Sequence, residues 1–185
     1  MDSLLQNPEL PEILLESKGQ SLIADLDLIW CDAEEVVEPY RKLLVHDRDM
    51  TSALERFHED AITLEILQAR HSEGGYFREV VLRTAGVGMP VEYGLIEIEL
   101  EAFRSGHQAA IVEGRQPLGG LLNETGMSYR SAPLGFFRVK AGVLGGVFSA
   151  SSDGAEHFGR YNQLISDNGT RLARIIEILP AISTP

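Results

Sequence analysis

Two charged residues stand among apolar neighbours where strand alternation would leave them facing a core. In Tyr76-Phe77-Arg78-Glu79-Val80-Val81-Leu82, alternate residues share a face, so Arg78 goes with Tyr76, Val80 and Leu82. A guanidinium is costly to desolvate on an apolar face unless it meets an anion or several acceptors. It suits a bidentate clamp on a ligand carboxylate, each charged hydrogen bond contributing roughly 1.5–3 kcal/mol. It equally suits a structural ion pair with one of the 28 acidic residues. In Ala173-Arg174-Ile175-Ile176-Glu177-Ile178-Leu179 the anomaly recurs with the opposite sign, Glu177 sharing a face with Ile175 and Leu179. A carboxyl on such a face tends to hold its proton and can then donate a hydrogen bond near neutral pH. Spacing alone leaves two readings open: an internal salt bridge between Arg78 and Glu177, or a polar ligand site.

Other chemistry-bearing residues form weaker patterns. Histidines 46, 58, 71, 107 and 157 show no H-x-H or H-x-x-x-H spacing, and Cys31 is the only cysteine, so neither a thiolate-rich metal site nor an internal disulfide is expected. Cys31 beside Trp30 reads as an inert, half-buried thiol. His46-Asp47-Arg48-Asp49 reads as a solvated charged turn ahead of a helix. Gly142-x-x-Gly145-Gly146 lacks the G-K-[ST] of a phosphate-binding loop, and no G-x-S-x-G elbow occurs.

The elements that must position Arg78 and Glu177 follow from the pattern. A helix is expected over Thr51–His58 behind a Thr or Asp cap, and a short one over Pro117–Glu124 with Pro117 in its first turn. Strands are expected over Ala61–His71, Tyr76–Thr84, Val91–Leu100, Ser128–Lys140 and Arg171–Leu179, the first three joined by the turn-forming Glu73-Gly74-Gly75 and Ala85–Pro90. The segment from Gly142 to Gly154 is ambiguous. Strands in runs with helices inserted between them point to an α+β fold built on a mainly antiparallel sheet. The chain's 185 residues suit one domain, residues 39–185, preceded by an N-terminal peripheral segment, 1–38, that packs on it. The formal net charge of −12 argues against nucleic acid and anionic membranes as partners, and requires local arginines to hold an anionic ligand. Met1-Asp2-Ser3-Leu4-Leu5 has no basic start for a secretory signal, so a cytoplasmic location is expected.

Four segments then fall in a familiar order: Asp47-Arg48-Asp49-Met50-Thr51, Tyr76-Phe77-Arg78-Glu79-Val80, Pro117-Leu118-Gly119, and Ile176-Glu177-Ile178-Leu179-Pro180-Ala181. With Phe158-Gly159-Arg160 ahead of the last of them, the stretch from Pro39 to Ala181 resembles the chorismate pyruvate-lyase family. The resemblance implies a sheet of about six antiparallel strands with helices packed around it. It also implies cofactor-independent conversion of chorismate to 4-hydroxybenzoate and pyruvate. Carried over by residue, Arg78 and Glu177 would be the catalytic pair, Arg78 holding the ring carboxylate and Glu177 the ring hydroxyl. The backbone of Leu118 would support the carboxylate, and that near Met50 would line the other end. Arg138 and Arg160 would be candidates for the enolpyruvyl carboxylate. Diverged relatives on this fold are non-catalytic sensors of aromatic acids, usually fused to a helix-turn-helix, of which the first forty residues show no sign.

Overall fold

The computed structural model describes residues 28–72, 75–140, 144–148 and 156–182. Residues 1–27 of the expected N-terminal peripheral segment, the turn residues Glu73-Gly74 and most of the 142–154 segment lie outside the described residues. In chain order the elements are β1 (Ile29–Cys31), α1 (Tyr40–Leu44), α2 (Met50–His58), β2 (Ile62–Ser72), β3 (Gly75–Thr84), β4 (Pro90–Ile98), α3 (Ser105–Glu113), α4 (Leu118–Glu124), β5 (Tyr129–Lys140), β6 (Glu156–Ser166) and β7 (Arg171–Ile178). Short 3-10 turns at Ala33–Glu35 and Leu100–Ala102 complete them.

The strands form one antiparallel sheet of order β1-β5-β6-β7-β4-β3-β2. Two meanders, β2-β3-β4 and β5-β6-β7, meet where β4 pairs with β7. The fold is α+β and mainly antiparallel, as expected, with seven strands instead of about six. Strands β1 and β6 were not expected. Glu156-His157-Phe158-Gly159-Arg160-Tyr161-Asn162-Gln163 lacks clean alternation, and pairing on both sides makes it a strand. Helix α3 was also unexpected, since Ser105-Gly106-His107-Gln108 gives no apolar stripe to read.

One sheet face packs Phe77, Val81, Tyr93, Leu95, Phe137, Tyr161 and Ile176 against Leu144 and Phe148. The opposite face is covered by two helical layers. At one end α3 and α4 bring Ile111, Leu118, Leu121 and Leu122 onto Tyr76, Ile96, Leu164 and Ile175. At the other, α1 and α2 bring Leu43, Leu44, Met50 and Leu54 onto Leu82, Val91, Phe158 and Leu179. Tyr40 fastens α1 to the end of the chain: its hydroxyl donates to the Pro180 carbonyl at 3.1 Å and accepts from the Ile182 amide at 2.8 Å.

The two layers touch where α2 and α4 begin. Asp49 caps α2, its Oδ1 accepting from the Ser52 amide at 2.7 Å. Pro117 is the residue that caps α4, one position ahead of its expected place inside the helix. Gly119 allows the approach: a Cβ there would lie 3.1 Å from both Asp49 Oδ1 and Thr51 Oγ1.

Candidate functional site

Pairing register sets the site. Directly paired residues share a face, so one row runs across the sheet as Ile66, Val80, Gly94, Glu177, Arg160, Phe136 and Cys31. The next row towards α3 and α4 contains Arg78, Ile96, Ile175 and Asn162. The row on the other side begins Leu82, Glu92. Four charged residues therefore lie on the helix-covered face, each at most 4% exposed: Arg78, Glu92, Arg160 and Glu177.

Between this face and the helix starts lies a cavity of about 60 Å³. Arg78, Val80, Leu82, Glu92, Gly94, Ile96, Ile175 and Glu177 form its sheet wall; Asp49, Met50, Thr51, Pro117, Leu118 and Gly119 form its helix wall. The cavity thus brings together Arg78, Glu177, Met50 and Leu118. Register places the Arg78 and Glu177 backbones roughly 12 Å apart, one step along the strands and two strands across.

Arg78 and Glu177 do not pair with each other. Arg78 donates from Nη1 to the Ile111 carbonyl at 3.2 Å, while its buried Nε has no hydrogen-bond partner. Among the described residues no carboxylate forms a salt bridge with it. Burial pulls this guanidinium below its ordinary pKa, with Tyr76 opposing the shift, and its centre lies 5.9 Å from the Tyr76 ring. A desolvated cation facing a cavity without a counterion favours an anionic guest.

Glu177 is held by Arg160. Arg160 Nε donates to Glu177 Oε2, and Nη2 donates to Oε1 at 3.4 Å. The same guanidinium donates from Nη1 to the carbonyls of Leu44 at 3.1 Å and His46 at 3.2 Å. It therefore braces β6 and β7 against the α1–α2 connection. This differs from the expectation that Arg160 would hold a ligand carboxylate: it is fully buried, absent from the cavity wall, and its donors are already engaged. Arg138 is also absent from the wall. It sits on β5 opposite Ile29, 3.5 Å from Glu156, nearer the sheet edge than the cavity.

Glu92 escaped the sequence reading. Burial pushes its carboxyl well above the usual range, nearby Glu177 raises it further, and Arg160 opposes. Its Oε2 is buried without a hydrogen-bond partner. Strand alternation from Arg78 across the β3–β4 turn would have found it, since Glu92 pairs with Leu82 and so shares Arg78's face. Gly94 leaves the floor open beside it: a Cβ there would lie 3.1 Å from Val80 Cγ2 and 3.2 Å from Glu92 Oε1.

No family model matches this chain, and no curated protein matches it in sequence. Solved structures share its fold. PhnF from Mycobacterium smegmatis aligns over 72% of this chain at 11% identity and a TM-score of 0.54. The match covers 64% of that PhnF chain. The effector domain of PhnF alone aligns over 75% of this chain and 96% of its own length, at 10% identity and a TM-score of 0.53. Gene product SA0254 from Staphylococcus aureus aligns over 74% of this chain and 90% of its own, at 9% identity and a TM-score of 0.50. Against the expectation of a chorismate lyase, these likenesses are to PhnF and its effector domain, and what this chain shares with them is the fold. Among the side chains on the described cavity wall, Arg78 carries the positive charge.

Proposed function

We propose that this chain is a non-catalytic effector-binding module for a small ring monocarboxylate, with Arg78 as the carboxylate anchor. The observation that carries the reading is the buried guanidinium of Arg78, with no salt-bridge partner among the described residues, on the wall of a cavity otherwise lined mainly by apolar side chains. The carboxylate meets Arg78, with the backbone amide of Leu118 beside it. The ring lies over Val80, Gly94 and Ile96, and Glu177 accepts a hydrogen bond from a polar group at the far end. A dry apolar cavity of about 150 Å³ holds a benzene ring. At about 60 Å³ the cavity admits one ring only after its walls give way, and Met50 is the most adaptable side chain among them. The likeness to an effector domain of PhnF supports a binding role.

Thermal unfolding with and without benzoate and 4-hydroxybenzoate, paired with incubation of the protein with chorismate, tests this. Both acids should raise the melting temperature, following the linkage between ligand concentration and stability, and chorismate should decay at its spontaneous rate. Chorismate consumption above that rate overturns the non-catalytic reading; absence of any shift with either acid overturns the binding one.

A further inference from the structure

Glu92 has a place in the cavity that the carboxylate reading leaves unused. Its carboxyl leans over Gly94, with Oε1 3.2 Å from where a Cβ on that residue would sit, and Oε2 is buried without a partner. The charged groups near it are Glu177 on β7 and Arg160 on β6. Asp49 at the start of α2 lines the same cavity, and its Oδ1 is taken up by the Ser52 amide. Arg160 is engaged by Glu177 and by two backbone carbonyls. This end of the cavity thus holds two buried carboxyl groups and a single guanidinium that one of them already occupies. The other end holds Arg78, which has no carboxylate partner among the described residues.

We propose that Glu92 is a specificity-determining residue that makes the cavity a site for zwitterions: a small ring carrying a carboxylate at one end and a protonated amine at the other. The inference rests on the reading that Arg78 anchors a carboxylate. The ammonium sits between Glu92 and Glu177. An ammonium offers three donors and no acceptor, so it serves both carboxyl groups at once. A hydroxyl accepts from a protonated Glu92 and donates its one hydrogen to Glu177, so it leaves Glu92 neutral and gains no ion pair with it. Burial, and then the neighbouring Glu177, favour a proton on Glu92, with Arg160 opposing. When the ligand enters as a zwitterion, that proton leaves to solvent and Glu92 becomes the carboxylate that pairs with the ammonium. No covalent bond changes.

The test is calorimetric titration with two near-isosteric probes, para-(aminomethyl)benzoate and para-(hydroxymethyl)benzoate, in buffers of different ionisation enthalpy. The amine should bind the native protein more tightly by about tenfold or more, a gap matching one charged hydrogen bond. Its binding heat should vary with buffer, reporting proton release, while that of the alcohol should not. In Glu92→Gln the preference should vanish and the alcohol's affinity should persist. Equal or tighter binding of the alcohol, or a preference that survives in Glu92→Gln, overturns the inference and leaves the carboxylate reading standing. Binding of neither probe overturns both. Should Glu92→Gln fail to fold, the native protein decides alone: amine binding without proton release overturns the inference.

Discussion

Arg78 and Arg160 show how differently two buried guanidiniums can be used. Arg160 is satisfied by Glu177 and by carbonyls of the α1–α2 connection, so removing it strands a buried carboxylate. Arg160→Met should therefore destabilise the fold by about 3–5 kcal/mol, read by denaturant unfolding. Arg78 lacks such a partner, and its Nε is unbonded. Arg78→Met should leave the melting temperature of the empty protein unchanged or higher, because a desolvated cation is replaced by a side chain that packs. The same change should weaken carboxylate binding by about 1.5–3 kcal/mol or more. Alternation along Tyr76–Leu82 and Ala173–Leu179 revealed the exceptional positions of Arg78 and Glu177 but left open whether they pair with each other. They do not: the partner of Glu177 is Arg160 on β6, a strand whose irregular sequence hid it.

At the scale of elements, the cavity exists because two helix starts stop short of the sheet. Asp49 fixes α2 and Gly119 lets α4 come against it. Asp49→Ala should cost about 0.5–2 kcal/mol in folding stability through loss of the cap. Gly94 is the corresponding gap on the sheet side. Gly94→Val places a branched side chain against Val80 and Glu92, and should abolish ligand binding while far-UV circular dichroism stays that of the native sheet. The strands from Ile62 to Ile98, and the last strand, were legible because their β-branched and aromatic residues alternate between clear turns. Strand β1 and helix α3 were not. Three residues make β1, and its pairing with β5 is a long-range event that no local pattern announces. Helix α3 has no apolar stripe and one buried side chain, Ile111.

At the scale of the molecule, the buried titratable groups give a signed pH dependence. Glu92 holds its proton more tightly folded than unfolded, so its contribution is present below about 4.5, the unfolded value, and is lost as pH rises through the folded value. The melting temperature of Glu92→Gln relative to the native protein should therefore climb as pH is raised from about 4.5. His46 and His157 run the other way. Burial lowers both below 6.5, so the stability they confer falls as pH drops below that value. The net charge of −12 sets the global field against an anionic guest, so a desolvated local cation must supply the attraction. No helix among the described residues is long and apolar enough to cross a membrane.

Carboxylate binding by Arg78 inside this cavity is tested most directly by calorimetric titration of benzoate into the native protein and into Arg78→Met, each first shown to unfold cooperatively. One saturable site per chain in the native protein, weakened by about tenfold or more in a variant that melts no lower, is the predicted result. Equal affinity in both proteins, or no binding in the native one, would contradict it.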